Sequence, residues 1–135
     1  MTHWCAQYIG QPWTEEQDCL WWFRFWAWVH FGVDVPAAAV RHETLTQSAA
    51  RLMGEGVTER FGYRQVDVPE EGDAVFLSQR NRPHHVGMAV IVDGQQMVLH
   101  ALDGVGVVLS DSHELRLSGW VVTSYWRYNG HPALP

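Results

Sequence analysis

Residues 85–102 read His85-Val86-Gly87-Met88-Ala89-Val90-Ile91-Val92-Asp93-Gly94-Gln95-Gln96-Met97-Val98-Leu99-His100-Ala101-Leu102. Two apolar runs flank Asp93-Gly94, a dipeptide that accepts the positive φ angles of a tight hairpin turn, so the stretch predicts antiparallel strands over His85–Val92 and Gln96–Leu102. If Asp93-Gly94 is the whole turn, Val92 faces Gln95, and counting back sets Gly87 opposite His100. His85, two residues from Gly87, then points to the same face as His100, as a diagonal neighbour with Cα atoms about 7–8 Å apart. A four-residue loop would keep the pair on one face but a step further apart, and a three-residue loop would put them on opposite faces. His84 points the other way by the same alternation.

Working outward, period-two segments over Ala74–Leu77, Val105–Leu109 and Trp120–Tyr128 are further strand candidates, set off by Gly72-Asp73 and Asp103-Gly104. The first half reads differently. From Cys19 to Phe31 the sequence CLWWFRFWAWVHF is apolar on every face, with Arg24 and His30 the main interruptions, and predicts a buried helix. Thr14 with Gln17 fits a capping box, Asp18 is an alternative cap, and Gly32 is a natural stop. A second helix is expected over about Glu43–Met53, closed by Gly54. Helices first and an antiparallel meander afterwards define an α+β domain, a single one over 1–135, with N-terminal helices packed on a five- to six-stranded antiparallel sheet.

Composition narrows the chemistry. All 9 basic side chains among the 135 residues are Arg. The absence of Lys removes Schiff-base catalysis, a Walker-type phosphate loop and a Ser-Lys dyad. A formal charge of -6 with scattered Arg disfavours a nucleic-acid partner. The N-terminus has no secretory pattern, so a protein working outside the cytoplasm is expected to be delivered by something other than its own signal. Arg24 and His30 interrupt the longest apolar stretch, so no membrane insertion is expected. Six of the 8 Trp precede residue 29. Most of that aromatic mass is expected to be scaffold on the Cys19 helix, with Trp13 the candidate for a cleft role.

Of the 2 cysteines, Cys19 is the candidate nucleophile, because a thiol at a helix N-terminus feels the positive end of the dipole. Asp18 beside it works against that on charge. A Cys nucleophile needs a base, which His85 supplies, with His100 able to orient it. No H-x3-H or C-x2-C spacing occurs, and adjacent His84 and His85 on a strand cannot chelate together, so neither metal nor cofactor is expected.

The ordered run Tyr8-Ile9-Gly10-Gln11-Pro12-Trp13, Asp18-Cys19, Glu71-Gly72-Asp73-Ala74-Val75, His85-Val86-Gly87-Met88 and Leu99-His100-Ala101 resembles the NlpC/P60 cysteine peptidases, most of all their compact phage-tail-associated versions. The resemblance spans about Tyr8 to Tyr128. It implies a papain-like α+β fold with Cys19 as nucleophile, His85 as general base and His100 as the orienting third residue. Tyr8 and Asp18 match positions beside the nucleophile and, with Trp13, are the expected substrate-binding residues. The implied activity is hydrolysis of peptidoglycan stem peptides by a protein made in the bacterial cytoplasm, carried in a virion or phage-like tail among other tail proteins, and acting at the cell wall. Leu20-Trp21-Trp22 replace the family's small residue and Gly after the Cys, and Glu15-Glu16-Gln17 replace its Gly pair before the Asp-Cys, which bears on substrate identity. The alternatives are a non-catalytic tail-tip component of the same fold and an acyltransferase or transglutaminase on a papain-like fold.

Overall fold

The computed structural model describes residues 2–35, 62–79 and 82–129. The helix expected over Glu43–Met53, the chain from Gly130 and the side chain of His84 lie outside them. A 3-10 helix, Trp4–Tyr8, precedes α1 (Cys19–Phe31), β1 (Tyr63–Val66), β2 (Ala74–Gln79), β3 (Arg82–Val92), β4 (Gln95–Leu102), β5 (Gly106–Ser110), α2 (Ser112–Leu117) and β6 (Val121–Tyr128). The strands form one six-stranded sheet in the order β1-β6-β2-β3-β4-β5, antiparallel throughout. The fold is therefore α+β.

Both ends of α1 follow from cap chemistry. The Asp18 carboxylate accepts the Trp21 N–H at 2.9 Å, and Gly32 closes the helix in the left-handed region at φ 67°. Thr14 and Gln17 do not start the helix. They close a turn ahead of it, with the Gln17 N–H on Thr14 Oγ1 at 2.9 Å and the Thr14 N–H on the Gln17 carbonyl at 3.1 Å. The expectation of a helix buried on every side is corrected: Cys19, Leu20, Trp22, Phe23, Trp26 and Ala27 face the core, while Trp28 is 62% exposed and Val29 and Phe31 are also exposed. One stripe of about 100° is all that a helix lying on a single sheet face can bury.

The sheet has a core on each face. Under α1 lie Ala74, Phe76, Val86, Met88, Val90, Leu99 and Ala101 with Cys5 and Cys19. On the other side Val75, Leu77, Ala89 and Val98 pack with Leu115 of α2 and with Trp120. These two sets alternate along each strand, as period two requires.

Asp93 (φ 51°) and Gly94 (φ 79°) make the whole turn between β3 and β4, pairing Val92 with Gln95. Outside β5, the Gly10 N–H bonds the Val107 carbonyl at 2.9 Å, and the Val107 N–H bonds the Gln11 carbonyl at 2.9 Å. Gly106 is a glycine for that reason: at φ 101°, a Cβ there would stand 2.5 Å from the Gln11 oxygen.

The Glu71-Gly72-Asp73 turn is tied down from several sides. Asp73 is buried and takes a forked pair from Arg127 of β6, Nε to Oδ1 at 3.0 Å and Nη2 to Oδ2 at 2.8 Å. It also accepts the Glu70 N–H at 2.7 Å. Glu71 accepts the Ile91 N–H at 3.1 Å and pairs with His3, whose Nδ1 accepts the Cys5 N–H at 3.0 Å.

Candidate active site

Cys19 is the first residue of α1 and is 1% exposed. The thiol sits against β3, where the Val86 backbone N–H points at it. Burial pushes its pKa up and Asp18 adds to that, while the N–H groups of Val86, Leu20 and Cys19 oppose it. The resting group is a protonated thiol, so attack requires proton removal in the same event. Cys5 and Cys19 are both free and buried.

The histidine pair forms as the hairpin count predicts. His85 Nε2 is 2.9 Å from His100 Nδ1, with ring centroids 5.1 Å apart. Gly87 permits the approach: a Cβ there would lie 2.7 Å from Val98 Cγ1, 2.9 Å from the Leu99 oxygen and 3.0 Å from His100 Cβ. Gly87→Ala is expected to prise β4 from β3 at this point and cost about 1–3 kcal/mol, the range for overpacking a close-packed site. The check is urea unfolding, combined with loss of the His85–His100 coupling in imidazole NMR spectra.

His85 stacks on Trp120 at 4.6 Å and 26°, and His100 meets the same indole edge-on at 6.4 Å. His100 Nε2 lies 2.9 Å from Ser110 Oγ. By alternation both histidines share the face of Ala89, Val98 and Trp120, whereas Cys19 belongs to the core under α1. The structure thus brings His85 and His100 into direct contact. It does not bring Cys19 onto their face: the thiol meets the backbone N–H of Val86, the residue after His85, from the α1 side of the sheet.

The remaining expected residues are placed differently. Asp18 is at the head of α1 but is committed to capping Trp21, and burial raises its pKa. Tyr8 packs against Trp22, Phe25 and Trp26, and its hydroxyl pairs with His30 Nε2 at 2.8 Å. His30 is eleven residues beyond Cys19, roughly 16 Å along the axis at 1.5 Å per residue, so the Tyr8 hydroxyl is directed away from the thiol. Tyr8 thus packs on α1 with its hydroxyl on His30. Trp13 is half-buried against the α1 core. Leu20 and Trp22 are buried and Trp21 stacks on Phe25 at 5.2 Å, so the bulky residues after Cys19 serve the packing of α1.

Burial holds the His100 pKa down to about 4, against an ordinary value of 6.5. The unfolded chain therefore takes up this proton first as the pH falls. His100 leaves stability intact above about pH 6.5 and erodes it progressively toward pH 4, by on the order of 3 kcal/mol in all. Denaturant unfolding at both ends of that window should show the slope, and His100→Gln should remove this residue's share of it.

Ser110 and Trp120 are the site residues that sequence reasoning missed as such. Ser110 lies one position past the expected strand end, and Trp120 starts an expected strand without any sign of which ring it would meet. Among the described residues no three His, Cys, Asp or Glu side chains are grouped to hold a metal, and no helix is long and apolar enough to cross a membrane. Neither a protein-family model nor a curated protein matches this chain.

Proposed function

We propose that the protein is a cysteine peptidase or amidase of the papain-like NlpC/P60 type that cleaves peptidoglycan stem peptides, carried by a phage or phage-like tail to the cell wall. The observation that carries this reading is the buried His85–His100 hydrogen bond on the strand whose next backbone N–H points at the thiol of Cys19. A helix-terminal thiol, a strand imidazole and a second imidazole to hold it are the parts that acyl transfer through a thioester requires.

In this mechanism the Cys19 thiol and the His85 ring, which meet β3 from opposite faces at rest, come within reach as substrate binds, and His85 takes the Cys19 proton as sulfur attacks the peptide carbonyl carbon. The tetrahedral intermediate expels the amine, which takes that proton from His85. Water, deprotonated by His85, then cleaves the thioester and regenerates the thiol. The N–H groups at the head of α1 supply donors for the oxyanion. His100, neutral over the working range because of its burial, orients His85 without competing for charge.

Full burial of Cys19 favours a second reading, a tail-tip component that keeps the scaffold without turnover. A mass-spectrometric map of products from purified peptidoglycan separates the two. New amino termini in the stem peptides, absent with Cys19→Ala, support the hydrolase; identical maps for both proteins overturn it. Amine-capped rather than hydrolysed products would identify an acyltransferase.

A further inference from the structure

Three side chains from three neighbouring strands form a line of hydrogen bonds across one face of the sheet. His85 Nε2 and His100 Nδ1 are 2.9 Å apart, and His100 Nε2 and Ser110 Oγ are 2.9 Å apart. Each step is a diagonal one. His100 is paired with Val108, two residues before Ser110, and the β3–β4 register that joins Met88 to Leu99 continues to Gly87 and His100, two residues from His85.

Two neutral imidazoles bonded nitrogen to nitrogen have one proton between those nitrogens. If His85 donates from Nε2, His100 accepts at Nδ1 and its own proton lies on Nε2, where it needs an acceptor. The Ser110 oxygen stands at that position. Ser110 is only half-buried, so its own hydroxyl proton can turn outward to water. In the opposite polarity Ser110 donates inward, His100 is protonated on Nδ1 and His85 carries its proton on Nδ1. That arrangement commits the only lone pair of His85, on Nε2, to His100.

We propose that Ser110 is a positioning residue: its hydroxyl accepts the Nε2 proton of His100 and so holds both His100 and His85 in the Nε2–H tautomer, leaving the lone pair of His85 on Nδ1. The catalytic consequence rests on the hydrolase reading above; the tautomer assignment does not. Burial holds the His100 pKa low, so that ring stays neutral and transmits orientation rather than charge.

The test uses protein labelled with nitrogen-15 at histidine. Long-range proton–nitrogen spectra near neutral pH should show both His85 and His100 as Nε2–H. In Ser110→Ala the buried Nε2–H of His100 loses its acceptor, and both rings should move toward Nδ1–H. Ser110→Thr keeps the hydroxyl and should restore the original pattern. On peptidoglycan, kcat for Ser110→Ala should fall about 10-fold or more with KM little changed, and Ser110→Thr should recover it. Thermal melts of both variants separate this from a fold defect. An Nδ1–H His85 in the unaltered protein, or tautomers unchanged in Ser110→Ala, would overturn the proposal. A tautomer shift in a protein as inert as its Cys19→Ala variant would support the role of Ser110 and refute the hydrolase reading.

Discussion

On the proposed hydrolase reading, Cys19→Ala should abolish stem-peptide cleavage, with a rate at least about 10³-fold below that of the unaltered protein, because removing the nucleophile leaves only what binding and oxyanion donors contribute. His85→Ala should lose activity on the same scale, and the double variant should be no worse than either single one, since the two groups act in one step. Fold loss does not confound this result. The substitution removes one sulfur from a site capped by Asp18 and packed by Leu20 and Trp22, a change of about 1 kcal/mol. Burial and the raised thiol pKa also predict slow alkylation of the native protein by iodoacetamide, accelerated sharply on unfolding. Equal cleavage by the unaltered and Cys19→Ala proteins would remove Cys19 from the chemistry.

Asp73→Ala is expected to have the largest effect on stability, about 3 kcal/mol or roughly 10 °C in Tm. The carboxylate is 3% exposed and takes two guanidinium bonds from Arg127 together with the Glu70 N–H. Its removal leaves the Arg127 guanidinium with only the Val68 carbonyl at 2.9 Å and the exposed Glu70 carboxylate at 3.4 Å. It also loosens the turn that delivers β2 to β6. A double-mutant cycle with Arg127→Ala should give a coupling of about 1 kcal/mol or more, changing little with added salt because the pair is shielded from it. Additive effects would show that the fork contributes nothing beyond its separate halves.

What could be read from the chain depends on how local its causes are. Both ends of α1 were legible because Asp18 and Gly32 act within one turn of it. The His85–His100 pair was legible because a two-residue Asp-Gly turn fixes the register, and parity does the rest. β1 was not legible: Tyr63-Arg64-Gln65-Val66 has no apolar alternation of its own and is held by pairing with the distant β6. α2 carries a local signal in the Asp111-x-x-Glu114 capping box, whose two bonds form at 2.8 and 3.0 Å. The place of Cys19 relative to the histidines, and of Tyr8 along α1, depends on how a helix docks on a sheet. No spacing in the sequence records that.

The Gly10-Gln11 bonds to Val107 close the β5 edge of the sheet. β5 ends the sheet, and without its two partners in the N-terminal segment it would present unpaired N–H and C=O groups to any extended chain. Deleting the first eleven residues would uncover a template for strand addition, and the shortened protein should self-associate while the parent stays dispersed. The segment ahead of α1 thus covers the one edge of the sheet that β5 would otherwise leave open to strand addition.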